Sequence, residues 1–413
     1  MRELVMIIGG GIFQVPAIIE AKKMGYDVLV VDIDNNAPGF KIADFAEYIS
    51  TKDLKNCISC ARAYSKTNSL KAVLTVGTDV SYTVASVAEA LGLPGISPEV
   101  ALRATNKYLM RCRLAECGIS CPKFFIANEL DEALEKAKLL TYPLVIKPVD
   151  NMGARGVRRI DNDGQLRESF SKSISYSGNY SESAVILEEY MGGDEISMDT
   201  IVDECGFIHL LTVADRHINF PPYFIETGHT IPSKLPKMAI MNAFDVMKQA
   251  VRAVGINLGA AKVDMKITPK GPMICELTAR LSGGFHSQYT DPLATGMSSI
   301  KAALDIALGK PLDINDITPK FSHAAIERAL IPSPGKIVSI EGVDEARKID
   351  GIFDVFITSK VGDIIVPLTS NIGKAGHIIA YGTTIDRAEA AYNKAIDIIK
   401  IKTVSEMALA EQR

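Results

Sequence analysis

The sequence predicts an α/β protein: a doubly wound parallel sheet at the N-terminus, then a mixed central region and a C-terminal α+β unit. Three observations carry this. Over residues 1–100, short unbroken apolar runs alternate with helical patterns, as in strands buried on both faces. From about residue 185 strands follow one another closely, with a single long helix among them. The chain has 413 residues, 47% of them hydrophobic and 23% charged, which supplies cores for two to four domains at roughly 100–200 residues each.

Leu4–Ile8 reads as a buried strand and Val15–Met24 as an amphipathic helix, with Gly25 placed to cap it. Val28–Asp32 and Ala72–Val76 are the next strands, and Val80–Leu91 is a helix stopped by Gly92-Leu93-Pro94. Ser97–Gly118 reads as one helical stretch, with Ser97 as N-cap and Pro98 at the first helical position. Strands Lys123–Ala127 and Leu144–Pro148 flank a helix at Leu130–Leu140. A loop, Asp150–Gly156, precedes a Ser-, Tyr- and Asn-rich stretch, Ser171–Ser183, expected as loop or weak helix. Val185–Glu189, Glu195–Val202 and Phe207–Val213 are strands, followed by the long helix Lys237–Val254. Strands Ala261–Ile267 and Met273–Leu277 and a helix, Ser298–Leu308, complete this part. Residues 312–322 read as a linker, and 323–413 as short strands with an amphipathic helix at Arg387–Ile401.

A net charge of −4, with no basic block interleaved with aromatics, argues against nucleic acid as the main partner. No apolar stretch approaches the ~20 residues that span a bilayer. The first apolar run is too short for a signal-peptide core and ends in glycines. A cytoplasmic protein without a membrane partner is expected. The seven cysteines are odd in number and lack framework spacing, which fits a reducing compartment. Cys57 and Cys60 form a CxxC in a helical segment with no second pair. They are read as small buried hydrophobes, with a redox or zinc role as the alternative.

Chemistry concentrates in Lys262–Arg280, where two strands flank a Pro269-Lys270-Gly271 turn. With Lys270 at the turn centre, Asp264 and Glu276 become cross-strand partners, Cβ atoms about 4.5–5.5 Å apart. Two bare carboxylates so close repel, and a hard cation between them resolves the conflict. Mg²⁺ takes one or two carboxylates plus phosphate oxygens. Alternation puts Glu276, Thr278 and Arg280 on one face: an anion, a neutral oxygen and a cation. The bland reading is a surface hairpin with scattered charges, and a bulge would break this register.

A second constellation is Lys147-Pro148, at the end of a strand, followed by Asn151-Met152-Gly153-Ala154-Arg155-Gly156. Such a loop can fold its N–H groups over phosphates, with Lys147 adding a point charge. It is not a Walker-A loop. A third is Glu188-Glu189-Tyr190-Met191-Gly192-Gly193-Asp194-Glu195, a linker between strands that can offer backbone groups to an adenine edge, with Glu195 placed for ribose hydroxyls. The default for both is an ordinary surface loop. Gly9-Gly10-Gly11 with Asp32 resembles a dinucleotide fingerprint, but Gln14 takes the third glycine's place. None of the six histidines stands at metal-ligand spacing. His229, three residues after Glu226, and His286, after Gly283-Gly284, are pocket candidates or structural histidines.

In this order, the constellations resemble the ATP-grasp superfamily over about residues 1–310. The runs Glu276–Gly284 and Glu226–His229 look most like its amino-acid ligase branch, near biotin carboxylase and carbamoyl-phosphate synthase halves. The resemblance implies domains at 1–105, 106–190 (lid), 191–311 (catalytic) and 323–413. It implies ATP with Mg²⁺ or Mn²⁺ as cofactors. Lys107 and Lys147 would contact phosphates under the Gly153–Gly156 loop. Glu188, Glu189, Tyr190 and Met191 would border adenine, and Glu195 would take the ribose. Asp264, Glu276 and Thr278 would hold metal, and Arg280 would stabilise an acyl phosphate. Arg216, Glu226, His229, Gly283 and His286 would approach the substrate. Asp264 and Thr278 depart from the glutamate and asparagine usual in the family.

The implied reaction activates a small carboxylate, such as an amino acid, as an acyl phosphate, and an amine (or thiol) then captures it. Small carboxylate and amine substrates, and a homodimer, are the implied partners. Carboxyphosphate chemistry of the carbamoyl-phosphate synthase type is one alternative. A nicotinamide-dependent oxidoreductase built on the N-terminal glycine loop is another.

Overall fold

The computed structural model describes residues 3–404, so residues 405–413 of the expected last domain lie outside the described residues. The chain opens with β1 (Glu3–Ile8), α1 (Val15–Lys23), β2 (Asp27–Asp32), β3 (Phe45–Tyr48), α2 (Leu54–Tyr64), β4 (Ser69–Leu74) and α3 (Ser81–Leu91). The strands form a parallel sheet in the order β3-β2-β1-β4. Both faces of β1 are buried. Val5 and Ile7 face one core, Leu4, Met6 and Ile8 the other, where α2 packs.

Two helices follow, α4 (Pro98–Thr105) and α5 (Lys107–Glu116), where the sequence suggested one. The break is Asn106, which is extended and accepts from the N–H groups of Tyr108 and Leu109. Asparagine competes for backbone donors, so it caps the second helix better than it continues the first. Lys107 is thereby fixed at a helix start.

A second, antiparallel sheet is made of β5 (Phe124–Ala127), β6 (Leu144–Pro148), β7 (Arg158–Ile160) and β8 (Val185–Glu189), in the order β5-β8-β6-β7, with α6 (Leu130–Ala137) and α7 (Asp163–Ile174) packed on it. Helix α7 takes part of the stretch expected as loop or weak helix. Its N-cap, Asn162, accepts from Gln165 N, and Leu166 and Phe170 are buried.

The remaining elements are β9 (Asp194–Val202), β10 (Ile208–Asn219), β11 (Ile225–Ile231), α8 (Lys237–Val254), β12 (Gly259–Thr268), β13 (Gly271–Thr278), a π turn at His286–Thr290, α9 (Asp291–Thr295) and α10 (Ser299–Ala307). Then come β14 (Ala324–Leu330), β15 (Gly335–Glu341), α11 (Val343–Arg347), β16 (Ile352–Ile357), β17 (Ile364–Ile365), β18 (Gly376–Gly382), α12 (Ile385–Ile398) and β19 (Lys400–Val404). Helix α10 returns to the first sheet: Ile300, Leu304 and Ile306 share a core with Val5, Ile7 and Ala17. An eight-stranded antiparallel sheet runs β13-β12-β9-β10-β11-β14-β18-β16. Strands from the C-terminal unit thus extend the sheet that carries Asp264 and Glu276. Helix α8 and α5 cover one face through Met247, Val251, Met110 and Leu114. Among the described residues, no helix is long and apolar enough to cross a membrane.

Candidate active site

The β12–β13 hairpin sets Asp264 opposite Glu276, but not for the expected reason. Thr268 pairs with Gly271 and Met265 with Ile274, so the ladder is centred between Pro269 and Lys270. A bulge next to Asp264 then takes up one residue, Cys275, and brings Glu276 into line.

The two carboxylates are not left bare. Lys107 Nζ lies 2.9 Å from Glu276 Oε1. Lys262 Nζ, at 2.5 Å, and Arg216 Nη1, at 2.7 Å, share Asp264 Oδ2. The repulsion inferred from sequence is therefore relieved by protein cations, which the linear pattern did not assign to these partners. Burial opposes ionisation of Glu276, but Lys107 and Lys262 outweigh it and hold its carboxyl well below the usual range.

A cavity of about 440 Å³ opens beside the pair. That lies within the roughly 300–1,000 Å³ of small-molecule sites. Lys107 and Lys147 line it, as do Gly153, Glu188, Glu189, Tyr190, Met191 and Glu195. So do Arg216, Glu226, His229, Asp264, Glu276, Arg280, Gly283 and His286. Gly156 and Thr278 are not in its wall. Gly156 sits behind the loop at φ +71°, where an added Cβ would meet Tyr176 at 2.9 Å and Ser173 Cα at 3.1 Å.

Lys147 ends β6 with Nζ 2.6 Å from Glu188 Oε2. Glu188 is 1% exposed, and its other oxygen takes Arg111 Nε at 2.6 Å. Burial alone would raise this carboxyl; Arg111 and Lys147 pull it down to about 2. The Glu188 side chain is thus an anchor for two cations rather than an exposed rim group. Arg111, one helical turn after Lys107 and fully buried, also donates to the carbonyl of Cys275 at 2.9 Å. The loop above is tied down by Lys107 Nζ to Asn151 O, 2.7 Å, and by Asn371 N to Gly153 O, 2.9 Å.

At the other end, the N–H groups of Glu189 and Tyr190 donate to Lys123 O and Pro143 O, and the Arg159 guanidinium lies 4.9 Å over the Tyr190 ring. Glu195 is held by Arg216 at 2.5 Å and Lys266 at 3.0 Å. Arg216 also forks onto Glu226, at 2.8 and 3.3 Å. Burial opposes ionisation of Glu226, yet Arg216 keeps it well below the usual carboxylate range. Arg280 is 7% exposed and donates to Asp79 Oδ1, 2.7 Å, and Leu281 O, 3.0 Å. Gly283 packs against Gly77, whose carbonyl an added Cβ would meet at 2.8 Å. His229 and His286 stack with ring centroids 5.3 Å apart and bond Thr290 and Thr212. Burial pushes both imidazoles below their usual range, His229 further.

Three polar atoms by the hairpin, Asp264 Oδ1, Thr278 Oγ1 and Ser197 Oγ, are buried without a hydrogen-bond partner. Buried polar atoms seldom stay unpaired, so these oxygens fit a hard cation. Among the described residues no group of three or more His, Cys, Asp or Glu side chains could hold a metal alone. A cation here would complete its shell from phosphate oxygens, as Mg²⁺ does.

Asp79, Arg111, Lys262, Lys266, Asn371, Lys374 and His377 were missed. Arg111 had a local signal, one turn from Lys107 on the same helix, as did Lys262 and Lys266, each two residues from Asp264 on β12. The N-terminal glycine loop, by contrast, is filled from within. Gln14 reaches back to Val76 O and Thr78 Oγ1, and Asp32 accepts from the N–H groups of Gly10 and Asp34. The carboxylate that a dinucleotide ribose would need is already engaged. Burial pushes the Cys57 thiol up to about 12 and Cys60 to about 11, far from reactive thiolates.

Residues 140–288 match the ATP-grasp domain family. The chain carries an ATP-grasp domain. Residues 328–404 match L-amino acid ligase C-terminal domain 2. The fold is that of the L-amino acid ligase from Bacillus licheniformis: TM-score 0.83, 24% identity, covering 98% of this chain and 100% of that one. Dapdiamide A synthase from Enterobacter agglomerans is 26% identical over 293 residues, 68% of each chain. The carbamoyl phosphate synthase large chain of Thermotoga neapolitana is 26% identical over 305 residues, 71% of this chain; the match spans 27% of that protein's length. The chain thus combines an ATP-grasp domain with a C-terminal domain of the L-amino acid ligase type.

Proposed function

We propose that the chain activates a small carboxylate, an amino acid first of all, as an acyl phosphate made from ATP. An amine then captures it, giving an amide, ADP and phosphate. The observation that carries this reading is the carboxylate pair Asp264–Glu276, ringed by Lys107, Lys262 and Arg216, with an unpaired Asp264 oxygen beside the cavity.

Asp264, Glu276 and Thr278 would hold Mg²⁺, which when bound neutralises charge on the phosphates. Lys107 and Lys147 supply charge to the phosphate chain, and Glu188 and Arg111 fix where Lys147 sits. The hinge Glu189–Met191 borders the adenine, and Glu195, oriented by Arg216 and Lys266, faces the ribose. Arg280, held by Asp79, stabilises the acyl phosphate. The Gly153–Gly156 loop excludes water that would hydrolyse it. Arg216, Glu226, His229, Gly283 and His286 shape the substrate end. Catalysis on this account is positioning and charge neutralisation. Residues 106–190 act as the lid subdomain and 191–311 as the catalytic subdomain.

The test is ATP-dependent phosphate release over pairs of amino acids and small acids, with bicarbonate as a separate arm. Release that needs a carboxylate and an amine together supports the reading. Release with bicarbonate alone, or with no pair, contradicts it.

A further inference from the structure

The C-terminal strands bring a further pair of ionisable side chains, Glu327 and His377, to the edge of the cavity. Glu327 on β14 lies opposite His229 on β11 and diagonal to His377 on β18, since Ala329 pairs with His377 and Glu327 with Ile379. These three side chains form one row across three strands. Glu327 is 4% exposed. One of its oxygens lies 2.6 Å from His377 Nδ1 and the other 3.6 Å from His229 Nδ1.

The histidines differ in what remains free. His229 also borders the cavity but is only 2% exposed, with Nε2 spent on Thr290 Oγ1 at 2.7 Å. His377 lines the cavity with its side chain 14% exposed, and its Nε2 has no protein partner among the described residues. A carboxylate on Nδ1 fixes the tautomer that leaves Nε2 with a lone pair. The ring is also gripped from the side: Phe285 lies 4.8 Å away, centroid to centroid. Phe285 is five residues after Arg280, and the intervening Ser282, Gly283 and Gly284 line the same cavity. Phe285 holds φ at +71°, a strained conformation for a bulky residue, which places its ring against this imidazole. An oriented imidazole with a free nitrogen in a reaction cavity has the build of a general base.

We propose that His377 takes a proton from the incoming amine, with Glu327 as its positioning residue. The inference rests on the ligase reading above. The amine arrives as an ammonium, which has no lone pair for attack. Transfer of one proton to His377 Nε2 frees that pair. The nitrogen then bonds to the acyl carbon, and the carbon–oxygen bond to the phosphoryl group breaks. The departing phosphate carries off a second proton, and His377 returns the first to solvent. The sum is acyl phosphate plus ammonium giving amide, hydrogen phosphate and one proton.

Hydroxylamine tests this, because it is uncharged at neutral pH and attacks an acyl phosphate without a base. With ATP, magnesium and each common amino acid as donor, wild type should form hydroxamate, and amide when a second amino acid is the acceptor. His377→Gln should lose amide kcat by about 100-fold or more and keep hydroxamate formation within about threefold. Retained hydroxamate formation also shows that the variant is folded. Glu327→Gln should show the same split with a loss of about tenfold. Equal loss of both products, loss of neither, or a raised amine KM at unchanged kcat would each overturn the base assignment. Wild type that forms no hydroxamate with any donor overturns the ligase reading, and this proposal with it.

Discussion

Arg111 donates to the carbonyl of Cys275, the one residue whose bulge brings Glu276 opposite Asp264. Its Nε holds Glu188, and Glu188 holds Lys147. One buried guanidinium therefore links the Asp264–Glu276 pair to the lysine of the neighbouring sheet.

That link makes a stability prediction. Arg111→Met leaves Glu188 buried with one cation instead of two. Breaking a buried pair costs about 3–5 kcal/mol, so the urea midpoint should fall steeply. Adding Glu188→Gln should restore much of the loss, a coupling measurable in a double-mutant cycle. The pair also sets an acid limit. The Glu188 carboxyl sits at about 2 when folded against an ordinary 4.5. Its contribution is full above about pH 4.5 and is lost as pH falls toward 2.

Asp291 has the opposite sign. It is fully buried, accepts from Ser299 and Thr295 hydroxyls, and is raised by burial, and then by Asp199, from 3.8 to about 7. Between those values the unfolded chain binds fewer protons than the folded one, so this group costs stability as pH rises from about 4 to about 7. Asp291→Asn should gain on wild type across that window, by an amount on the order of a few kcal/mol, and run parallel to it above pH 8. Chemical denaturation at stepped pH checks this; parallel curves from pH 4 to 7 would refute it.

Gly156→Ala tests the loop over the cavity. The new Cβ meets Ser173 backbone and the Tyr176 ring in a left-handed conformation. A loss of about 1 kcal/mol and a KM for ATP raised about tenfold are expected, with kcat changed less. An unchanged KM would separate this loop from nucleotide binding.

Much of this was legible in the sequence because it is local. The glycine-capped helix α3, the helix α8 and the two strands around Pro269-Lys270 follow from periodicity and turn residues. The Asp264–Glu276 pair was found with the turn centre misplaced, because the Cys275 bulge made up the difference. What was not legible is non-local. Nothing near Asp79 in the chain points to Arg280, and nothing near Asn371 points to Gly153 or Glu226. The Asn106 break was hidden because helical propensity on both sides is continuous. Strand β14 joins the large sheet beside β11, and neither its residues nor those of β18 specify the pairing of β14 with β18. Glu327 and His377 become neighbours only through that pairing.

Glu276→Gln should keep the fold, since the amide can still accept from Lys107, and should lower magnesium-dependent phosphate release by about 100-fold or more. A thermal melt within a few degrees of wild type, together with lost turnover, is the expected pair of results. Normal phosphate release would refute the proposed metal site.

The central claim is that a carboxylate oxygen attacks the terminal phosphate of ATP. With a carboxylate substrate labelled with oxygen-18 and an amine acceptor, mass spectrometry of the released phosphate follows that oxygen directly. One labelled oxygen per phosphate at each turnover is predicted. Phosphate free of label, released at the full rate alongside amide, would contradict the account.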